Sequence, residues 1–330
     1  MTATSTDPTD VERGTRPAGH RWVLGLGWSS LVANMVLVVT GAVVRLTGSG
    51  LGCPTWPRCT DESYTPHAEY GIHGVIEFGN RLLTFVLAAI AIATFVAAVR
   101  TGRRSLIWLA LWMGLGIPAQ AVIGGVTVLT DLNPWIVSLH LICSFLIICL
   151  AVRFIQLVLR GDDLPRARGP VVGLAWVVFA AGWVVLYIGT MVTGAGPHAG
   201  DADSPRNGLD PAQMSQLHAD AVFFFIGATV GLIFAVYAWR HGASARRALW
   251  VLFAVQIGQG AIGFVQYFTD LPIVLVGFHM LGASLTSAAI AWVLVAVRHP
   301  RELDAAEPVA AGGLTVPVEA AEAPVAPSRL

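Results

Sequence analysis

The chain contains no lysine. All 20 of its basic residues are arginine, and 20 acidic residues match them, so the formal net charge is zero. Without a basic excess there is no electrostatic footprint for nucleic acid, which is excluded as a partner. Charge of either sign is scarce: 12% of 330 residues, about half the ~25% usual in globular domains. Together with 55% hydrophobic residues and a mean hydropathy of +0.68, that scarcity excludes a water-soluble fold. Four cysteines are too few for a disulfide scaffold. A close-spaced ligand pair such as HExxH is also missing, so zinc fits the histidines poorly.

What is present is a series of apolar runs, each long enough to cross a hydrocarbon layer of about 30 Å as a helix. The first, Trp22 to Val44, is 23 residues without a charge. That exceeds the ~7–15 residues of a signal-peptide core, and no small-residue cleavage site precedes Arg45, so the run reads as a retained span. Eight spans are predicted, at 22–45, 73–99, 105–128, 135–158, 170–193, 212–239, 248–268 and 272–297. Short cytoplasmic loops hold an excess of positive charge. Arg13, Arg16 and Arg21 precede the first span; Arg100, Arg103 and Arg104 follow the second; Arg160, Arg166 and Arg168 the fourth; Arg240, Arg246 and Arg247 the sixth; Arg298 and Arg301 the eighth. The opposite side holds Arg58 and Arg206, with Arg45 and Arg81 at span edges. The sequence therefore predicts a multi-pass protein of the cell membrane, embedded in the lipid bilayer, with both termini cytoplasmic. Residues 298–330, rich in Ala, Pro, Glu and Val, read as a disordered cytoplasmic tail.

An internal repeat organises the spans. Gln120-Ala-Val-Ile-Gly and Gln259-Gly-Ala-Ile-Gly open two segments that stay in register, at an offset of 139, through Thr130-Asp131-Leu132 and Thr269-Asp270-Leu271 to His140 and His279. A looser echo pairs Thr47-Gly48-Ser49-Gly50 with Thr193-Gly194-Ala195-Gly196. The fold class expected is all-α: two tandem four-helix bundles in the same orientation, related by a pseudo-two-fold axis along the membrane normal. Residues 1–21 form a cytoplasmic segment, 22–158 the first unit, 159–169 a cytoplasmic linker and 170–297 the second unit.

Ionisable side chains inside a membrane are costly and raise a functional question. His73, His140, His218 and His279 all fall near the extracytoplasmic ends of even-numbered spans. Helices two and four of a bundle can face one another, and two facing imidazoles are what an iron porphyrin needs as axial ligands. A lone membrane histidine more often only hydrogen-bonds a neighbour; the recurrence of His140 and His279 at equal spacing favours ligation. His218 is the natural partner of His279 within the second unit. In the first unit His73, Glu77, Asn80 and Arg81 share one face of span two. Glu77 is then either the anion of an ordinary i,i+4 pair with Arg81 or a carboxylate with chemical work to do. Cys53 and Cys59, in the outer loop on the oxidising side, form a disulfide or a thiol pair that cycles in turnover. Cys143 and Cys149 read as small apolar fillers. Thr130, Asp131, Asn133 and Asp270 read as helix N-caps ahead of Pro134 and Pro272. Arg45 and Arg81 either contact porphyrin propionates or snorkel to the interface.

From Trp22 to Arg298 these residues resemble haem A synthase of the cytochrome oxidase assembly pathway. The resemblance is carried by TGAVVRLTGSGLGCPTWPRC (40–59), IEFGNR (76–81), the His140 and His279 segments, and QLHAD (216–220). It implies an eight-helix oxidoreductase that converts a methyl group of haem O to a formyl group, giving haem A. It implies Glu77 as the catalytic carboxylate, His218 and His279 as axial ligands of a resident haem b, His140 as the substrate-haem ligand, and a Cys53–Cys59 disulfide. Partners implied are the enzyme that supplies haem O, an electron partner such as a quinone, and cytochrome oxidase assembly. The chain departs from the family at Asn80, where many members carry a histidine. Either His140 alone holds the substrate haem, or His73, one turn before Glu77, supplies the second imidazole. Two other classes compete: a di-haem b-type electron-transfer protein, which leaves Glu77 and the unlike halves without a role, and a haem carrier or assembly scaffold, which needs no catalytic carboxylate.

Overall fold

The structure, a computed structural model, describes residues 18–162 and 166–299. Most of the expected N-terminal segment and of the expected C-terminal tail lies outside the described residues. Within them the chain forms eight long helices and no strand: α1 (Ala18–Leu46), α2 (Gly71–Arg100), α3 (Arg104–Leu129), α4 (Pro134–Arg160), α5 (Pro170–Ala195), α6 (Pro211–Ala238), α7 (Ala243–Phe268) and α8 (Ile273–Arg298). A short 3-10 turn, Ala68–Tyr70, leads into α2. At 1.5 Å per residue the helices are about 40 Å long, and all eight are long and apolar enough to cross a membrane. The largest departure from the expected limits is at α7, where Arg246 and Arg247 ride inside the first turns of the helix. Long arginine side chains allow this because they reach back to the interface.

Asn133 caps α4 through its side chain, which accepts the Trp135 N–H at 3.0 Å, with Pro134 in the first turn. Asp210 caps α6 in the same way, accepting the Gln213 N–H at 2.8 Å ahead of Pro211. Asp131 and Asp270 correct the expectation that they are N-caps: those of α4 and α8 are Asn133 and Pro272. Both aspartates have left-handed backbones (φ 52° and 56°), and so do Leu132 and Leu271 that follow (φ 59° and 57°). The tandem left-handed pair reverses the chain and is closed by Leu132 N–H to Thr127 at 2.7 Å and by Leu271 N–H to Gln266 at 3.0 Å. Thr130 is no N-cap either but the C-cap residue of α3; its hydroxyl donates back to the Val126 carbonyl at 2.7 Å, as that of Thr269, the C-cap of α7, does to Val265 at 2.6 Å. Asp tolerates this region, but Leu does so only at a cost. Packing of buried Leu132 against Gly50 and Gly200 offsets it, since a Cβ at either glycine would fall within 3 Å of the leucine Cδ1.

The helices pack as two rings. In the first, α1 touches α2 and α4, and α3 touches α2 and α4; in the second, α5 touches α6 and α8, and α7 touches α6 and α8. Between the rings α4 meets α8, α1 meets α8 and α4 meets α5, a set unchanged when α1–α4 and α5–α8 are exchanged. Helix α8 is the centre of the assembly: 67% of its apolar window is buried, against 39% or less in every other helix. Small residues such as Ala289 and Ala291 let its neighbours close in. Polar bonds cross the seam: Ser287 of α8 donates to the Phe145 carbonyl of α4 at 2.9 Å, and the Cys149 thiol of α4 donates to the Ser287 carbonyl at 3.3 Å. Cys149 is thus a hydrogen-bonding residue as well as a filler. Bonds of this kind between membrane helices contribute about 0.6 kcal/mol on average, so apolar packing carries most of the seam.

Candidate functional site

The site lies at the end of the bundle where α2, α4, α6 and α8 begin. Glu77, His140 and His279 are each the seventh residue of their helix and His218 the eighth, which puts all four about 10 Å in from the helix start. The loop 47–67 after α1 folds over this end. Within it Cys53 and Cys59 are joined by a disulfide and fully buried. Buried Glu77 holds the loop down: Oε2 accepts the Cys53 N–H at 2.6 Å, and Oε1 accepts Arg81 Nε at 3.2 Å and Nη2 at 2.5 Å. Arg81 also donates to the carbonyls of Cys53 (2.9 Å), Thr55 (3.0 Å) and Arg58 (3.1 Å). All five of its N–H groups are engaged, so the Glu77–Arg81 pair is a clamp on the disulfide loop, and Arg81 in this geometry has no donor left for a propionate. Glu77 accepts three of the roughly four hydrogen bonds a carboxylate can take, leaving one lone pair on Oε2.

His140, His218 and His279, each partly buried, lie against a glycine of the neighbouring helix. A Cβ at Gly124 (α3) would stand 3.2 Å from Cε1 of His140, one at Gly189 (α5) 3.2 Å from Cε1 of His218, and one at Gly263 (α7) 3.8 Å from Cε1 of His279. A side chain at either of the first two would require the ring to give by a few tenths of an ångström. The next residue of α3, Gly125, receives the Trp56 ring of the loop, which brings the loop to the helix that supports His140. Gln120 of α3 donates to the His140 carbonyl at 2.9 Å and to Ser144 Oγ at 2.5 Å, bracing the turn that carries the ring. Nδ1 of His140 and of His279 is buried with no hydrogen-bond partner. The rings of His218 and His279 face one another with centroids 6.4 Å apart and planes at 73°. Two imidazoles this close on α6 and α8 are the residues that would hold a haem iron, if one is bound here. Among the described residues there is no cluster of three or more His, Cys, Asp or Glu that could hold a bare metal ion.

His73 sits in the first turn of α2, exposed, with Nδ1 2.9 Å from Ser49 Oγ of the loop. A bond at Nδ1 leaves Nε2 as the atom that can bind iron, the arrangement common among metal-ligating histidines. Asn80 turns to α1, where its Oδ1 accepts the Thr40 hydroxyl at 2.7 Å. Arg45 spans the two rings: Nη2 donates to the Thr193 carbonyl at the end of α5, while Nε is buried and unpartnered. The sequence reading missed Gly124, Gly189, Gly263, Ser49 and Trp56. The 139-residue repeat did contain Gly124 and Gly263, but nothing in one sequence says which helical glycine faces a ring.

The family profile described as cytochrome oxidase assembly protein matches residues 24–205. The chain belongs to that family. The matched stretch contains the disulfide loop, Glu77, Arg81 and His140, and stops before His218 and His279. Relatives extend the likeness. A protein named heme A synthase from Staphylococcus epidermidis is 23% identical over 303 residues, 84% of this chain and 98% of its own length. One of the same name from Bartonella bacilliformis is 23% identical over 83% of this chain and 91% of its own length. A third, from Geobacillus kaustophilus, is 33% identical over 121 residues, 36% of each chain. The relatives of nearly full overlap therefore extend over both halves of the chain.

Proposed function

We propose that the chain is a haem A synthase, a membrane oxidoreductase that converts a methyl group of haem O to the formyl group of haem A for cytochrome oxidase. The observation that carries the reading is the pairing, at one end of one bundle, of facing histidines in one ring with a buried carboxylate and a glycine-seated histidine in the other. Residues 22–158 are the substrate-haem unit, 159–169 the linker and 170–297 the unit of the resident haem b, with the two units related by an axis along the membrane normal. The symmetry of the inter-ring contacts supports that relation. His218 and His279 hold haem b, which when bound supplies a one-electron redox centre. His140 holds the haem O substrate, and His73, braced by Ser49, is its proposed second ligand. Glu77 accepts, through its remaining lone pair, a proton released as the methyl group is oxidised and its electrons pass to the electron partner, or stabilises the positive charge developing there, while its other acceptor sites keep it fixed. Arg45, whose Nε is unpartnered, is the proposed propionate contact. Both termini lie in the cytoplasm by the arginine distribution, and the partners are a haem O-supplying enzyme and an electron partner such as a quinone.

Pyridine haemochrome analysis of haems extracted from cells with and without the gene tests the reading. Haem A should be lost, and haem O should accumulate, when the gene is absent. Unchanged haem A would leave an electron-transfer or haem-carrier protein in its place.

A further inference from the structure

At the end of the bundle opposite the haem site, a cavity of about 510 Å³ opens between the start of α3 and the last two turns of α4. Arg104, Arg153 and Arg166 line it, with Leu109 and Leu157 as its apolar wall and Asp162 at its rim. None of the three arginines has a hydrogen bond or ion pair with another described residue. Asp162 offsets Arg153 only in part: its charge reaches that guanidinium, but Arg103 Nε holds its Oδ2 at 2.7 Å and the Ser105 hydroxyl donates to its Oδ1, so one carboxylate stands among Arg103, Arg104, Arg153 and Arg166. The other charged neighbours add to the excess or are engaged elsewhere. Arg298 lies 5.3 Å over the Trp176 ring, and Arg160 donates to Gln156 (2.8 Å), the His299 carbonyl (2.6 Å) and Ser244 (2.6 Å). His299 is buried beside Arg153, Arg298, Arg166 and Arg160, and desolvation and their charge push its pKa down to about 4, so it stays neutral. The Ala167 N–H donates to the Arg298 carbonyl at 2.9 Å, fixing the chain next to Arg166 against α8.

Arg153 is the least expected of these residues. It lies two turns inside α4, partly buried, where an unpaired guanidinium is costly. A planar donor fork of this kind matches a phosphate oxygen pair. We propose that this cavity binds the phosphodiester headgroup of an anionic phospholipid, gripped by Arg104, Arg153 and Arg166, with the acyl chains leaving along Leu109 and Leu157. The apolar wall favours a lipid over a free phosphate, because inorganic phosphate has nothing to place against two leucines. The site is at the arginine-rich face, where interhelical basic pockets meet anionic headgroups, and it does not depend on the redox reading.

Native mass spectrometry of the full chain, purified in detergent and supplied with phosphatidylglycerol or phosphatidylcholine, tests this. The wild type should retain phosphatidylglycerol in preference to phosphatidylcholine. The double variant Arg153→Gln/Arg166→Gln should retain it on the order of thirtyfold less, from about a fivefold loss per arginine. Arg247→Gln, outside the cavity, should match the wild type, and the far-UV circular dichroism of all three should agree. Millimolar inorganic phosphate should not displace the lipid. Equal retention of the two lipids, retention unchanged in the double variant, or full displacement by phosphate would each overturn the proposal. If the double variant misfolds, Arg153→Gln alone, with about a fivefold loss expected, decides it.

Discussion

The Glu77 carboxylate accepts the backbone N–H of Cys53 at 2.6 Å, so a buried acid on α2 and one half of the loop disulfide are joined by a single hydrogen bond. Glutamine at position 77 breaks this arrangement even though it is nearly isosteric. Its amide has one acceptor oxygen, and its NH2 must face either the Cys53 N–H or the Arg81 guanidinium, donor against donor. Glu77→Gln should lower haem A formation by about a hundredfold or more, as loss of a proton-transfer group does, and should speed reduction of the Cys53–Cys59 bond in thiol-trapping assays. Normal haem A yield with faster reduction would make Glu77 a loop anchor only.

His218→Ala and His279→Ala should each abolish the low-spin bis-histidine spectrum of the purified protein, because each removes one of two axial ligands. Retention of the full spectrum in both would place the resident haem in the other ring.

The glycines behind the rings should separate by distance. Gly189→Ala puts a methyl 3.2 Å from the His218 ring and should change the haem spectrum, while Gly124→Ala, at 3.2 Å from His140, should lower haem O conversion. Gly263→Ala leaves an ordinary 3.8 Å contact and gains up to ~1 kcal/mol of helix propensity, so it should keep the spectrum and raise the melting temperature. Identical behaviour of all three variants would mean that the glycines do not seat the rings.

His73→Ala should weaken haem O binding and turnover about as much as His140→Ala if both coordinate iron, and Asn80→His in the same chain should restore part of the loss. Ser49→Ala, which removes the partner of His73 Nδ1, should show a smaller loss in the same direction. Full turnover of His73→Ala would leave His140 as the only histidine on the substrate.

Arg103 and Ser105 hold the Asp162 carboxyl below its usual range. A depressed folded-state value stabilises the fold above the unfolded value of about 4, and the contribution fades as pH falls through the folded value. The pair is partly exposed, so the effect is at most about 1 kcal/mol. The melting temperature of Asp162→Asn should lie slightly below that of the wild type at pH 7, and the difference should close below about pH 4. A constant difference across that range would assign it to something other than this charge.

The helices were legible because apolar runs bounded by arginine and proline specify membrane helices almost by themselves. His140, His218, His279 and Glu77 stood out for the same reason, being polar where polarity is costly. The turn at Asp131 and Leu132 was not legible. An Asp ahead of an X-Pro step looks like a cap, and what makes a left-handed leucine tolerable is Gly50 and Gly200, far away in sequence. The clamp by Arg81 was half legible: the i,i+4 spacing pointed to Glu77, but three carbonyl acceptors in a loop more than twenty residues away did not show in any pattern.

The central position of α8 bears on how the protein is made. It is the last of the eight helices to leave the ribosome, yet α1, α4, α5 and α7 all pack on it. Until it emerges, seven helices already in the bilayer have lipid tails where their core will be, and the Phe145 carbonyl awaits Ser287. Folding of both rings is thus completed by a single late insertion. The contact between the His218 and His279 rings cannot form before it, and a ribosome stalled just short of α8 leaves a chain with the disulfide loop in place and His218 without its facing ring.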